Sequence, residues 1–566
     1  MRLGMKNVVI IGGGTSGTVT ANSLARRLDC KEFQITVIDY STRHYYQPGF
    51  VALPFGKIPN PLLWRRRRQT LHTGIRFLQD KVTAVDPVAK MVITQAKQIS
   101  YDYLVLATGC ECRPELVEGM AKGTLLNTGI YSFYTLAWAR RLRRALQTFT
   151  HGHLVVHISE FPIRCPVAPI EFALKAEHYF FTHRVRDDIE ITIVTPQSQV
   201  FEQSIAARNL SNLLRLRDIE VQPDFVVRHI DATEKRMYAY DGKAIDYDML
   251  VTVPPMRGQQ FIVDSELGDE MGFVHPNLET LQHREYPDIF VIGDTADLPT
   301  SKSGSACVYQ SRVLVSNLLD YMAGRPMIRR YDGHAMCIID TGYNQASVID
   351  RSYTVPAVTG NWFFPFLGPL SLLKQTRRNH LAKRLLFVFY SAFMAGLRVF
   401  DRFSHIQLFG KEFRRWGLRP DGTTPLSAPD TTPDADSLIA PTWKRRPNAC
   451  LAAAFSTKVL KIPVLHEAGG RSIDVDAEGF MTNPCQWTRA VGTDLARAIN
   501  LEMTPRHWEV IEFARQSFVK YHVSPSLRRM EMAGHFPIAE LFELFPSKPN
   551  KLICYVAGIP KPLGCI

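Results

Sequence analysis

Two kinds of residue in this 566-residue chain are spaced for chemistry, thiols and phosphate-cradling glycines. Near the C-terminus Cys554 and Cys565 bracket a stretch in which Gly558, Pro560, Pro562 and Gly564 break every regular period. The expectation is a mobile arm, neither helix nor strand, whose thiols swing out to a distant partner or fold back on each other. A disulfide closing so short and exposed a loop would be easily reduced, which suits a catalytic or cargo-bearing pair. Cys165 lies in Ser159-Glu-Phe-Pro-Ile-Arg-Cys-Pro-Val-Ala-Pro169, a proline-stiffened turn, and Cys337 in the strand-like Gly333-His-Ala-Met-Cys-Ile-Ile-Asp340.

The glycines open the chain. Lys6-Asn-Val-Val-Ile-Ile is an apolar, β-branched run that flows into Gly12-Gly-Gly14-Thr-Ser-Gly17, then a helical pattern to Leu28 and the strand Gln34-Ile-Thr-Val-Ile-Asp39. This is the dinucleotide fingerprint: Gly12 for the tight turn, Gly14 for approach of a pyrophosphate, Gly17 for helix–strand packing, Asp39 for a ribose. Tyr101-Asp-Tyr-Leu-Val-Leu-Ala107-Thr108-Gly109 and Ile289-Phe-Val-Ile-Gly293-Asp294-Thr-Ala are short buried strands ending in small residues. Both resemble motifs of flavoproteins with two dinucleotide-binding domains, which implies FAD, with Asp294 meeting the ribityl chain. Such reductases insert a second Rossmann unit for a nicotinamide nucleotide between these motifs, here beginning at His153-Leu-Val-Val-His-Ile158. Its glycines are missing. The expectation is therefore that electrons arrive from a sulfur compound.

Tyr45-Tyr-Gln-Pro-Gly-Phe50, Ala107-Thr-Gly-Cys-Glu-Cys-Arg-Pro114, Cys165-Pro-Val-Ala-Pro-Ile-Glu-Phe172 and Gly293-Asp-Thr-Ala-Asp-Leu-Pro299 resemble the sulfide:quinone oxidoreductase family over the first 420 residues. The resemblance implies a cysteine pair that relays electrons to FAD and holds a growing sulfur chain, with quinone as electron partner. Cys165 sits on the matching motif, and Cys337 is taken as its partner. Cys110 and Cys112 stay open between neighbours of the FAD pocket and catalysts. Cys307 is read as packing, and Cys30, Cys450 and Cys485 have nothing nearby to make them special. At the other end Gly479-Phe-Met-Thr-Asn-Pro484 with Trp487, Leu501-Glu-Met-Thr-Pro-Arg-His-Trp-Glu-Val-Ile511 and Tyr521-His-Val-Ser-Pro525 resemble the DsrC/TusE sulfur-relay family. In that family the arm carries sulfur, and two arm cysteines point to DsrC proper, which can hold an inter-cysteine trisulfide. Cys485 stands where the family usually has an acidic residue, and Arg528–Ala533 lacks an expected lysine.

The elements that position these groups follow from composition. Hydrophobic content of 46% and charged content of 21% exclude wholesale disorder. Ten cysteines without a CxxC pair exclude a zinc site. The net charge of +13 is placed by Trp362–Phe403, where an apolar run from Leu385 to Leu397, flanked by Arg377, Arg378, Lys383, Arg384 and Arg398, is shorter than the ~20 residues that cross a bilayer. It fits an amphipathic segment in a lipid interface; a buried core helix is the alternative. Arg65–Arg68 is open between lipid and solvent, and nucleic acid is not expected because basic and aromatic residues do not interleave in a recognised binding module. From Arg419 the composition turns to Pro, Thr, Asp and Ser, a linker whose roughly thirty residues reach roughly 30 Å.

The predicted architecture is an α/β flavoprotein over 1–420, FAD-binding in 1–115 and 270–330, with a second Rossmann-like unit over 116–269 and a membrane-interface segment over 360–405. A linker over 421–452 leads to a mostly α-helical DsrC-like domain over 453–566. Within it Thr504-Pro505 starts a helix over Arg506–Lys520 with a core stripe of Trp508, Ile511, Phe513 and Phe518. The expected function is a cytoplasmic FAD enzyme, peripheral on the inner face of the membrane, that oxidises a sulfur species, reduces a quinone and trades sulfur with its carrier. Sulfide is one substrate; the carrier's own dithiol, persulfide or trisulfide is the other. The rival is a non-catalytic flavin scaffold presenting the carrier to dissimilatory sulfite reductase.

Overall fold

The computed structural model describes residues 5–56, 62–121, 129–362, 370–394, 405–416, 418, 467–476 and 478–561. They fall into two compact units, the larger within 1–412 and the smaller mostly C-terminal. The predicted linker, Cys450, Cys565 and most of the aromatic stretches flanking the basic helix lie outside the described residues.

In the larger unit, strand β1 (Lys6–Ile11) runs into helix α1 (Thr15–Ala25) and strand β2 (Phe33–Asp39). With β3 (Arg76–Gln79) and β4 (Tyr103–Leu106) they form a parallel sheet, completed beyond β4 by the much later strand Ile289–Val291. Val8, Val9 and Ile10 and the whole of β4 are buried, as a parallel sheet covered on both faces requires. The next segment builds a second five-stranded parallel sheet around β5 (Gly152–Ile158), α2 (Ala168–Thr182), β6 (Ile189–Val194) and β7 (Met249–Val253). This is the expected second Rossmann-like unit. The chain then returns to the first sheet through Ile289–Val291, here β8, and continues into α3 (Gly304–Met322). An antiparallel pair follows, β9 (Ala335–Asp340) and β10 (Ala346–Arg351), and then α4 (Arg377–Met394).

Helix α4 corrects part of the reading of the basic segment. Lys383, expected to face lipid, donates to Glu171 of α2 at 2.5 Å and to the Ile338 carbonyl at 2.8 Å. A glutamate only 5% exposed needs a cation, and Lys383 supplies it. Tyr390 of the same helix bonds Thr15 at 3.1 Å and His44 at 3.0 Å, so this face packs inward. Arg377, Arg378, Leu381, Arg384 and Leu385 remain exposed. In the run Arg65–Arg68, Arg67 is buried against Asp39 at 3.2 Å while its three neighbours are exposed. No described helix is long and apolar enough to cross a membrane.

The smaller unit is helical, with α5 (Arg489–Ala498), α6 (Pro505–Tyr521), α7 (Leu527–Gly534), α8 (Ile538–Leu544) and α9 (Pro549–Val556) around one core. Thr504 and His507 close a reciprocal cap at the start of α6, where the Thr-Pro pair predicts it. The buried face of α6 is Val510, Ile511, Ala514 and Tyr521; Trp508, Phe513 and Phe518 pack at its margin rather than forming its centre.

A buried ion pair fixes α2 to the β9–β10 turn. Arg217 meets Glu177 at 3.2 Å with the two side chains 1% and 0% exposed, and Tyr343 donates to the other Glu177 oxygen at 2.9 Å. Glu177→Ala, which strands the arginine, is expected to cost about 3–5 kcal/mol. Urea unfolding followed by circular dichroism checks this, and an unchanged midpoint contradicts it.

Candidate functional site

Three loops converge at the sheet's carboxyl edge. After β1 the backbone turns at Gly12, whose φ of +100° and 2.3 Å approach of an added Cβ to the Ala107 carbonyl leave room for no side chain. A Cβ on Gly17 would lie 1.8 Å from the Gly12 oxygen, whereas one on Gly14 would meet nothing within 4 Å. The first turn of α1 therefore faces open space, and no side chain caps it. From the β4 loop Thr108 bonds Thr295 at 3.1 Å, and the Gly109 amide donates to the same hydroxyl at 2.8 Å. Gly293 completes the set, its amide donating to Gln310 of α3 at 2.8 Å. An open, uncapped helix start bordered by two strand-end loops fits FAD. Asp39 differs from the expectation of a free ribose acceptor. Its carboxylate already accepts from the Gly13 amide at 2.7 Å and from the Ser41 amide at 2.8 Å, as well as pairing with Arg67.

The loop after Asp294 leads directly to the thiols. Lys302 donates to the Asp294 and Ala296 carbonyls at 2.9 and 2.8 Å, and its own carbonyl accepts from the Cys165 amide at 2.8 Å. Cys165 adopts a left-handed φ of +51°, uncommon outside glycine and found where the surroundings over-determine the backbone. Its carbonyl accepts from Ala168 at 2.8 Å, which starts α2. On the other side Thr300 bonds the Gly333 carbonyl at 2.7 Å, holding the start of β9 to the same loop. Two ion pairs lock α2 onto β9 and α4, Lys175–Asp340 and Lys383–Glu171, each at 2.5 Å.

The result is that Cys165 and Cys337, far apart in sequence, lie close enough for each thiol to shift the ionisation of the other. Cys337 is the thiol favoured for ionisation. The neighbouring Cys165 thiol comes first among the causes, with Ser301, Ser303 and the Arg351 charge adding to it, and together they hold Cys337 below the ordinary thiol range against the penalty of burial. The same neighbour, together with burial, keeps Cys165 protonated. Such an arrangement supplies a thiolate near neutral pH and a neighbouring thiol to close a disulfide upon it. Sequence reasoning missed Ser301, Ser303 and Arg351; only Ser303, as the cap before Gly304, left a local sign.

Cys110 and Cys112 lie elsewhere, on and beside the short strand Glu111–Cys112, with Cys112 accepting from Arg164 at 3.3 Å. Cys307 is buried within α3, as expected of packing.

In the smaller unit the expected mobile dithiol is corrected. Cys554 sits in α9 with no exposure, between Ile553 and Tyr555 of the core, and burial pushes its thiol up to about 12. The apolar sequence Leu552–Val556 completes the core, and the breaking residues act only from Gly558 onward. The segment is then tied down by Trp487 donating to the Val556 carbonyl at 2.8 Å, Arg515 to that of Ala557 at 2.6 Å and Ser524 to that of Pro560 at 2.6 Å.

Residues 6–312 match the pyridine nucleotide-disulphide oxidoreductase family. The chain belongs to that family. Residues 467–566 match the family described as DsrC like protein, and form a DsrC-like domain. Over 369 residues the chain is 30% identical to the mitochondrial sulfide:quinone oxidoreductase of Mus musculus, covering 63% of this chain and 80% of that one. Over 107 residues it is 36% identical to the sulfurtransferase TusE of Yersinia pseudotuberculosis, covering 18% of this chain and 99% of that one. The solved sulfide:quinone oxidoreductase of Aquifex aeolicus superposes with a TM-score of 0.58 at 21% identity, over 70% of this chain and 95% of that one, a likeness of fold. Family membership implies FAD, in agreement with the three loops.

Because Cys337 is lowered from its ordinary value chiefly by the neighbouring Cys165 thiol, removing that thiol should raise it. Alkylation of Cys337 by iodoacetamide, followed by peptide mass spectrometry, should rise through a midpoint below the ordinary thiol value near 8.5 in the parent protein. In Cys165→Ala the midpoint should move up, toward or beyond that value. An unmoved midpoint contradicts the coupling of the two thiols.

Proposed function

We propose that this is a peripheral membrane flavoenzyme that oxidises sulfide, passes two electrons to a quinone and delivers the sulfur to its DsrC-like domain. The observation that carries the reading is the contact between Cys165 and Cys337 beside the Asp294 loop. FAD bound across Gly12–Gly17, Ala107–Gly109 and Gly293–Asp294 supplies the two-electron acceptor between thiols and quinone.

The chain's own residues account for the sulfur chemistry. With Cys165 and Cys337 joined as a disulfide, a hydrosulfide ion attacks Cys165, the bond between the two sulfurs breaks, and Cys337 leaves with the electron pair as thiolate. The product is a persulfide on Cys165. The donors around Cys337, namely Ser301, Ser303 and Arg351, stabilise that leaving thiolate, and a thiol of lower pKa leaves faster. Transfer of the outer sulfur to a carrier thiol returns Cys165 as a thiol, and closing the pair again releases two electrons. The buried position of Cys554 favours Cys565 as the thiol that receives sulfur and disfavours oxidation of the carrier's own dithiol as the primary reaction. A trisulfide between Cys554 and Cys565 would require α9 to open.

Quinone is proposed because a lipid-soluble acceptor lives in the layer that the exposed Arg377, Arg378, Arg384, Leu381 and Leu385 of α4 suit. The proposed site of attachment is the inner face of the membrane through 362–403, and dissimilatory sulfite reductase or another sulfur-relay protein is the proposed partner of the carrier.

Sulfide should bleach the flavin of the purified holoprotein within the first turnover, while NADH leaves it oxidised because the β5 turn has no phosphate loop. Cys165→Ser and Cys337→Ser should keep FAD and lose bleaching by at least a hundredfold, on the order of what removing a covalent participant costs. Rapid reduction by NADH, or a variant bleaching at the parent rate, contradicts the reading. Flotation with anionic liposomes should weaken on charge reversal at Arg377, Arg378 and Arg384 and in high salt; indifference to both contradicts the membrane assignment.

A further inference from the structure

Three glycines in a row, Gly12, Gly13 and Gly14, are the part of the phosphate loop with the most backbone freedom to lose when a ligand binds. The middle one is held at both of its backbone polar groups. Its amide donates to Asp39 at 2.7 Å, and its carbonyl accepts from the Thr18 hydroxyl at 2.8 Å and faces His44 Nδ1 at 3.2 Å. The Arg67 guanidinium lies so close that a Cβ added at Gly13 would come within 2.6 Å of it.

His44, in the short strand Arg43–Tyr45, passes this hold to α4. The residue is 3% exposed, and burial, helped by the Arg67 charge, brings its pKa down to about 4, so the ring is neutral and has a single N–H. A carbonyl only accepts, which puts that hydrogen on Nδ1, directed at Gly13, and leaves Nε2 to accept from the Tyr390 hydroxyl at 3.0 Å. The Tyr390 oxygen in turn accepts from Thr15 at 3.1 Å. Thr15 is the first residue of α1, two positions beyond Gly13. Donation therefore runs in one direction from Thr15 through Tyr390 and His44 to Gly13. The path begins and ends on the phosphate loop and passes through a residue 375 positions later in the chain.

Other contacts hold α4 ready for this. The Tyr390 ring packs edge-on against Tyr46 at 4.7 Å, and Lys383 ties an earlier turn of the helix to Glu171. At the last residue of α4 the Met394 carbonyl accepts from Asn22 of α1 at 2.6 Å. A carbonyl in a last turn has no partner inside its own helix, so Asn22 supplies one from α1.

We propose that Tyr390 and His44 are positioning residues for the FAD diphosphate, holding the Gly13–Thr15 backbone in its binding form before the cofactor arrives, so that docking of α4 and occupancy of the FAD site reinforce each other. Neither side chain needs to touch the cofactor. A loop that is already ordered loses less conformational entropy on binding, and the difference appears as affinity. Linkage is reciprocal: whatever the docking of α4 adds to FAD binding, FAD adds to the docking of α4. The inference rests on FAD binding across the three loops. Its consequence is that the helix whose other face exposes Arg377, Arg378 and Arg384 senses whether the flavin is loaded.

The test uses the full-length protein, stripped of flavin and titrated with FAD, as parent and as Tyr390→Phe, which keeps the ring against Tyr46 and removes only the hydroxyl. The dissociation constant for FAD should rise at least about fivefold in the variant, on the order of what losing one buried hydrogen-bond partner costs. Hydrogen exchange over 377–394, read by mass spectrometry with and without FAD, should slow on loading in the parent and lose that response in Tyr390→Phe, while α1 still responds in both. A tyrosine that merely packs α4 would leave the exchange of the helix indifferent to FAD. Equal FAD affinity in parent and variant, or exchange over 377–394 that FAD does not change in the parent, overturns this proposal and leaves the flavoenzyme reading standing. If Tyr390→Phe does not fold, the exchange of the parent decides alone. A folded parent that takes up no FAD overturns both.

Discussion

Two thiols that govern each other's ionisation need two backbone segments to be brought side by side and kept there. Cys165 and Cys337 come from different layers, one from the turn that opens α2 and the other from β9. The arrangement is fixed from three directions: by the Lys302 carbonyl on the Cys165 amide, by Thr300 on Gly333, and by the ion pairs of α2 with β9 and α4. The charged groups in those pairs are costly to bury and have no simpler use than orientation. The same loop that anchors Cys165 also carries Asp294, which explains how the thiol pair and the FAD loops form one site. Where a nicotinamide-binding member of this fold class needs a glycine-rich turn after β5, this chain has the proline-flanked turn that carries Cys165.

Two of the three cysteines of the DsrC-like domain lie in contrasting environments. Cys554 of α9 is part of the hydrophobic core and is held as a neutral thiol. Cys485, where the family resemblance leads one to expect an acid, is exposed at a short turn next to Arg515, a residue that also grips the Ala557 carbonyl. The domain thus keeps its C-terminal segment docked as far as Pro560 by polar contacts to main-chain carbonyls. Such contacts are compatible with many side chains in the segment itself.

How much of this was legible in the sequence depends on the range over which each signal acts. The phosphate loop is local: Gly12, Gly14 and Gly17 follow from the steric needs of one turn, and the structure meets them. The pairing of Cys165 with Cys337 was reached through family motifs, and the fold brings the two together. Ser301, Ser303 and Arg351 were not legible, because what matters is their proximity to Cys337 across three separate elements. Lys383 read as one more lipid-facing cation because its sequence neighbours are basic and exposed, whereas its fate is set by Glu171 on another helix. Cys554 was misread for a related reason. The glycines and prolines after it are strong local breakers, but the core contacts of Leu552–Val556 outweigh them until Gly558.

The central claim is that Cys165 and Cys337 form one redox pair. It is tested most directly by a peptide map of the oxidised full-length protein, blocked with an alkylating agent before unfolding and run without reductant. The account predicts a cross-linked species joining the peptides of Cys165 and Cys337 through a disulfide or a longer sulfur bridge, released by reductant. Independent alkylation of both cysteines in the oxidised protein, or a bridge from either of them to a different cysteine, would contradict it.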